Sequence, residues 1–279
     1  MMDQPSFSFE FFPPQSVEGL QKLLLARQQL AMCAPEYFSV TYGAGGSTRE
    51  RTQGAVLAIK DAGSEVAPHL SCVGTSRETV REILDLYRDR GIHRVVVLRG
   101  DLPSGVVEGG HFRYAADLVA FIRETYGEVF RIEVAAYPEV HPQARSARED
   151  LLNFKRKIEA GADAAITQYF YNADAYFHFV ADCRAAGIGV PIVPGVMPIV
   201  RFFQLARFSD NCGAEIPRWI RKKLEQFGDD SDSVKAFGLD VVSELCAALI
   251  QGGVPSLHFY TMNQAAPTIA ILQRLNLAK

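Results

Sequence analysis

Cysteine is scarce in this chain and scattered. Cys33, Cys72, Cys183, Cys212 and Cys246 are the five cysteines in 279 residues, and no two form a CxxC pair. Their odd number and wide spacing argue against a disulfide framework and against a zinc site. The six histidines form no HExxH or other short-range ligand pair, so no metal is expected. No Lys/Arg cluster dominates any stretch, and the formal net charge is −3. Nucleic acid and anionic membrane are therefore poor candidates for partners. No apolar run is long enough to span a bilayer. The first eight residues lack the basic-then-apolar pattern of a signal peptide. A reducing cytoplasm is the expected compartment. A linker, a low-complexity segment and a short repeat are all missing, so one domain over 1–279 is the economical reading.

What is present is an alternation. Strand-like runs are expected at 6–11, 37–41, 67–71, 94–98, 131–136, 164–168, 192–196 and 256–260. Between them, stretches such as 17–31, 77–90, 115–125 and 147–160 repeat apolar residues at three- and four-residue spacing, as amphipathic helices do. Eight such units imply a parallel sheet covered by helices, closed as a (β/α)₈ TIM barrel, with an open doubly wound sheet as the alternative. Extra helices at 217–227 and 231–251 precede the eighth strand, and the acidic run 229–232 marks a turn between them. In a barrel, active-site groups belong at the C-terminal strand ends and in the loops that follow.

Those strand ends carry unusual residues. In residues 6–11, strand alternation puts Ser6, Ser8 and Glu10 on one face and Phe7, Phe9 and Phe11 on the other. Glu10 would then enter the barrel mouth, where desolvation raises a carboxyl pKa and prepares a general acid. Alternatively it only bonds the next loop. The glycine-rich stretch 41–48 is neither GxGxxG nor a P-loop. It reads as a tight turn with a helix N-cap at Ser47 or Thr48. Arg99 and Asp101 after the fourth strand form either a salt bridge or a polar cofactor contact. In the helix after the fifth strand, Asp150, Asn153 and Lys157 share one stripe, with Arg156 at its edge and Leu151, Leu152, Phe154 and Ile158 opposite. A solvated face explains that stripe by itself and is the simpler reading; a nucleotide lying along it explains it too. Gln168 could pair with an amide edge or with loop backbone. Aromatic residues at 259 and 260 could stack on a ring or simply pack.

Together these segments resemble the methylenetetrahydrofolate reductase family. The resemblance is carried by residues 9–14 (FEFFPP), 38–43 (FSVTYG), 67–70 (APHL), 98–103 (LRGDLP), 135–142 (AAYPEVHP), 150–157 (DLLNFKRK), 160–168 (AGADAAITQ), 194–198 (PGVMP) and 258–263 (HFYTMN). Nine motifs in order over nearly the whole chain are specific where each alone is weak. The likeness is to the short bacterial type, a catalytic barrel without the regulatory domain of eukaryotic relatives. It implies FAD as cofactor, NADH or NADPH as co-substrate, and reduction of 5,10-methylenetetrahydrofolate to 5-methyltetrahydrofolate for methionine synthesis. It also implies a homo-oligomer.

Roles follow by resemblance. Glu10 matches the general acid, and Asp101 the aspartate near flavin and pterin. Thr41, Tyr42, Ala44, His69, Arg99, Gly100, Tyr114, Ala115, Tyr137, His141 and Ala144 match residues of the flavin site. Asp150, Asn153, Arg156 and Lys157 match the helix holding the FAD tail. Thr41, Gln168, Gln204, Phe208 and Tyr260 match the space for folate and nicotinamide. Gln264 departs from the family pattern, which has arginine there for the folate's glutamate tail. Arg201 is a candidate substitute. Other classes remain open: a barrel flavoenzyme that oxidises an amino acid, as proline dehydrogenases do, or a non-catalytic binding barrel.

Overall fold

Helices and strands alternate as the apolar periodicities require. The computed structural model describes residues 5–42, 46–72, 74–100 and 110–278. Its elements are, in order, β1 (Ser6–Phe11), α1 (Val17–Ala31), β2 (Phe38–Val40), α2 (Gly46–Asp61), β3 (Val66–Ser71), α3 (Arg77–Asp89) and β4 (Arg94–Leu98). Then come α4 (Ala115–Tyr126), β5 (Arg131–Ala136), α5 (Ala147–Glu159), β6 (Ala164–Thr167), α6 (Ala173–Ala185), β7 (Ile192–Val193) and β8 (Gly195–Val196). The chain finishes with α7 (Phe202–Cys212), α8 (Arg218–Phe227), α9 (Ser231–Gln251), β9 (Ser256–Tyr260) and α10 (Ala266–Arg274). Side chains start several helices by accepting an otherwise orphaned amide: Ser16 from Gly19, Ser76 from Thr79, Ser146 from Glu149 and Asn172 from Asp174. Asp230, within the acidic run, caps α9 by accepting from Asp232 and Ser233. The N-cap expected at Ser47 or Thr48 is not where α2 begins: the helix already includes Gly46.

All strand pairings are parallel, in the order β7-β6-β5-β4-β3-β2-β1-β9-β8. The single strand expected over 192–196 is divided at Pro194, which has no amide hydrogen for a ladder. Its first half, β7, pairs with β6, and its second half, β8, pairs with β9. That division brings the sheet's two ends together in a nearly closed α/β barrel. Gly195 is required at the seam. A Cβ there would lie 2.2 Å from the Thr167 carbonyl oxygen and 2.6 Å from the Tyr260 ring.

Strand alternation builds two interiors. Phe9, Phe11, Phe38 and Phe259 face the helices and are fully buried, with ring centroids 5.5–6.0 Å apart. Inside the barrel a smaller apolar cluster of Tyr37, Ala67, Val96, Ile166 and Val193 fills the floor. Around it lie buried polar groups: Ser8, Ser39, Glu133, Thr167 and His258, with Glu10 and His69 above.

Candidate active site

A cavity of about 1040 Å³ opens at the C-terminal ends of β3, β4 and β5. Local chemistry sets each wall. At the end of β3, Ser71 Oγ and Cys72 Sγ both donate to the Arg99 carbonyl, at 3.1 and 3.2 Å, and tie down the end of β4. Gly100 follows with φ of +81°, a conformation that glycine adopts without strain. Tyr114 precedes α4, its amide donating to the Asp117 carboxylate at 2.8 Å, and its half-exposed ring borders the cavity. After β5, Val140 takes a left-handed φ of +69°. The adjacent His141 amide donates to Asp150 Oδ2 at 2.8 Å, and the His141 ring meets Tyr137 edge-on at 4.5 Å.

The stripe on α5 borders the cavity, with Asp150, Asn153 and Lys157 partly buried and Arg156 exposed. Asp150, Asn153, Arg156 and Lys157 all line the cavity. Arg156 donates to Asn153 Oδ1 at 2.8 Å, and Lys157 Nζ donates to the Ala135 carbonyl at 2.5 Å. Burial pushes the Lys157 ammonium down to about 8, against the pull of Asp150. Leu152, expected on the apolar side, is exposed, because the buried side of α5 is centred on Phe154.

Of the residues proposed for a cofactor, Tyr42, Arg99, Gly100, Tyr114, Ala115, Tyr137, His141 and Ala144 join those four in one wall. Ala44 and Asp101 lie outside the described residues, so the expected Arg99–Asp101 contact does too. Thr41 and His69 stand beside the cavity without lining it; Ser71, two residues beyond His69 on the same face of β3, does line it. Arg49, Thr75, Thr79, Gln143 and Arg145 also line it and were not singled out from sequence. Nothing marks them as a group in one dimension, because they come from separate loops and helices.

Glu10, near the C-terminal end of β1, is buried and does not line this cavity. Its Oε2 is 3.2 Å from His69 Nε2 and 3.4 Å from His258 Nε2. Desolvation alone would raise its pKa, as expected from sequence. The charges and hydrogen bonds of His69 and His258 outweigh that and lower it from 4.5 to about 2. The expectation of a carboxyl group protonated by burial is therefore overturned: the carboxylate is stabilised by two imidazoles. His258 Nδ1 in turn meets Ser8 Oγ at 2.7 Å. His69 Nδ1 is buried without a hydrogen-bond partner. Ser8 was placed in sequence on the same face as Glu10, whereas His258 was not singled out; their contact, 250 positions apart, is tertiary.

The residues expected at folate and nicotinamide occupy neighbouring strand ends and α7. Gln168 Oε1 accepts from the Tyr169 amide at 3.0 Å, the backbone pairing foreseen as its alternative, which leaves its NH₂ group as donor. Tyr260 donates to the Thr167 carbonyl at 2.7 Å. Burial, then the charges of Glu10 and Tyr137, push its phenol well above the ordinary value. Gln204 and Phe208 are half-buried on α7, which Ser209 ties to Tyr169 at 3.0 Å. Gln264 and Arg201 are exposed, and none of these six lines the cavity. Among the described residues, no cluster of His, Cys, Asp or Glu could hold a metal, and no helix is long and apolar enough to cross a membrane.

The profile of the family described as Methylenetetrahydrofolate reductase matches residues 2–276. The 5,10-methylenetetrahydrofolate reductases of Salmonella typhimurium and Escherichia coli are each 42% identical over 273 residues, 98% of this chain and 91% of theirs. Methylenetetrahydrofolate reductase (NADH) 1 of Arabidopsis thaliana is 39% identical over 289 residues, 98% of this chain and 49% of the plant protein. A solved Clostridium thermocellum structure, described as an uncharacterized protein binding two copies of 5-methyl-5,6,7,8-tetrahydrofolic acid, superimposes with a TM-score of 0.68. It is 14% identical and covers 98% of this chain and 95% of its own, a likeness of fold alone. On its length-wide match and these identities, the chain belongs to the methylenetetrahydrofolate reductase family.

Proposed function

We propose that this enzyme reduces 5,10-methylenetetrahydrofolate to 5-methyltetrahydrofolate, using NADH or NADPH through FAD, and so supplies methyl groups for methionine synthesis. The relatives' names support the reaction, and the plant relative's name favours NADH. The observation that carries the reading is Glu10, a buried carboxylate between two imidazoles at the C-terminal strand ends, the same end of the barrel at which a cavity rich in cations opens.

FAD fits the residues present. The cavity is at the large end of small-molecule sites. Arg49, Arg99, Arg145 and Arg156 offer charge to a diphosphate, and the unpartnered His69 Nδ1 offers a polar contact at the mouth. Asp150, Asn153, Arg156 and Lys157 would hold the nucleotide end, and Tyr42, Arg99, Gly100, Tyr137 and His141 the ring end. Bound there, FAD would supply the two-electron centre for a ping-pong exchange between nicotinamide and folate.

The chain's own work is proton handling and orientation. Ring opening of the substrate needs a proton on the departing nitrogen. Glu10, with His258 Nε2 at 3.4 Å from its carboxylate, is the group that would deliver that proton, directly or through water. The free NH₂ of Gln168 is a donor for the pterin edge. Gln204 and Phe208 on α7, with Tyr260, border the same space. The visible spectrum of purified protein, reconstituted if needed, tests the reading. An oxidised flavin spectrum, bleached by anaerobic NADH and restored by methylenetetrahydrofolate, is expected, with FAD released on denaturation. Release of FMN alone, or bleaching that proline and not folate affects, would overturn it.

A further inference from the structure

The loop between β5 and α5 has two sides. Tyr137, His141, Gln143 and Ala144 line the cavity. Glu139 and Pro142 do not; they meet the connector that joins α7 to α8. Glu139 Oε2 accepts from the Glu215 amide at 2.7 Å. Pro142 packs on Gly213, where a Cβ would lie 3.2 Å from the proline Cδ. Gly213 ends α7 with a left-handed φ of +76°, its amide donating to the Ser209 carbonyl.

Val140 divides the two sides. A β-branched residue at φ of +69° is strained, and such strain persists where the surroundings over-determine the backbone. Two carboxylates do so here. Asp150 of α5 accepts the amide of His141, the residue that follows, at 2.8 Å. Glu139, the residue that precedes, is held by the Glu215 amide. Without the Glu139 carboxylate the strained residue would keep one of these two anchors.

The same bond restrains α7. Ser209 Oγ lies 3.0 Å from the Tyr169 hydroxyl, and Cys212 Sγ lies 3.5 Å from it. Tyr169 follows Gln168 directly, so these contacts fasten α7 to the end of β6. Ala214 and Ile216 are buried in the connector. The Glu139 carboxylate then ties that connector to the cavity wall by a charge-assisted bond, about twice as strong as a neutral one. Gln204 and Phe208, four residues apart, share one face of α7. The helix is about 16 Å long, so a shift at its end is carried to both.

We propose that Glu139 is a positioning residue that clasps the end of α7 to the cavity wall and so sets where Gln204 and Phe208 stand relative to a bound cofactor. The clasp is independent of the reaction; its effect on folate rests on the function proposed above.

Glu139→Ala removes the acceptor, whereas Glu139→Gln keeps an acceptor oxygen at the same length and removes the charge. Cys212, half-buried in the last turn of α7, reports the clasp through its rate of alkylation by iodoacetamide, followed by mass spectrometry. The half-buried Cys33, between α1 and β2, is the internal control. In purified Glu139→Ala, Cys212 should react about tenfold faster, the order expected for a lost hydrogen bond to a charged group, and Cys33 at its wild-type rate. The KM for methylenetetrahydrofolate should rise by a similar factor, with kcat and bound flavin changed about twofold at most. Glu139→Gln should bring both values back to within about threefold of wild type. If Glu139→Ala fails to fold, Glu139→Leu keeps bulk and removes the acceptor. An unchanged Cys212 rate, a folate KM that stays put while Cys212 is released, or a glutamine variant no better than alanine would overturn the proposal. A wild-type protein that reduces no folate would instead sink the proposed function, and the Cys212 rates would still decide the clasp.

Discussion

On the outer face of the barrel sheet, Phe7, Phe9, Phe11, Phe38 and Phe259 meet the helices with almost no polar atom among them. On the inner face of the same strands, Ser8, Glu10, Ser39 and His258 are buried just as deeply. The two faces share a backbone and differ by one step of alternation. The outer face gains stability from apolar area removed from water. The inner face forgoes much of that gain, because buried polar groups return their desolvation cost only when each finds a partner. It is therefore the face where a conflict between stability and chemistry is expected, and two of its groups, Ser39 Oγ and His69 Nδ1, are unpartnered.

Substitutions on the two faces should separate along that line. The largest effect is expected at Glu10. Glu10→Gln keeps volume and some hydrogen bonding and removes the titratable carboxyl group through which a proton could pass to the substrate. The folate half-reaction should slow about 10²–10⁴-fold, the usual worth of a positioned acid, while bleaching by NADH stays near wild type. Anaerobic stopped-flow on the two half-reactions reads both; a mutant that reduces folate at full speed would refute the role.

Phe9→Ala, one residue away, should do the reverse. It should cost about 3–5 kcal/mol in urea unfolding, as for large aromatics in a packed core, and slow both halves alike where the protein remains folded. A loss below about 1 kcal/mol would mean that the aromatic layer is less well packed than the ring contacts indicate.

Acid should expose the inner face. The native state holds Glu10 near 2 against an ordinary 4.5, so its carboxylate stabilises the fold. That contribution, roughly 3 kcal/mol at most, is complete above about pH 4.5 and is lost as pH falls through the folded value. Urea unfolding of wild type and Glu10→Gln over that window should show the stability gap closing with acid. A gap independent of pH would contradict the two-imidazole cradle.

The smallest effect lies outside both faces. Gln264→Arg should lower the folate KM, most for polyglutamylated substrate, by a few-fold, as an exposed charge contact allows. An unmoved KM would mean that Arg201 or solvent already serves the tail.

Much of this was legible in one dimension. Alternating periodicities specify the barrel, because a strand repeats every two residues and a helix every 3.6. Glu10 could be placed at the barrel mouth because alternation decides which face a residue takes. The break of the seventh strand was half visible, since Pro194 forbids one ladder bond, but only closure of the sheet shows that its halves serve different neighbours. The placement of the α5 stripe beside the cavity, and the exposure of Leu152, depended on how that helix leans against β5 and its loop.

What the sequence by itself determined is the repeat of elements, the face each side chain takes and the family to which the motifs point. Tertiary structure alone decided the electrostatic surroundings of Glu10. Sequence predicts the desolvation that any buried carboxyl feels. The opposing interactions with His69 and His258 come from positions 59 and 248 residues away in sequence, and electrostatic energy depends on distance in space.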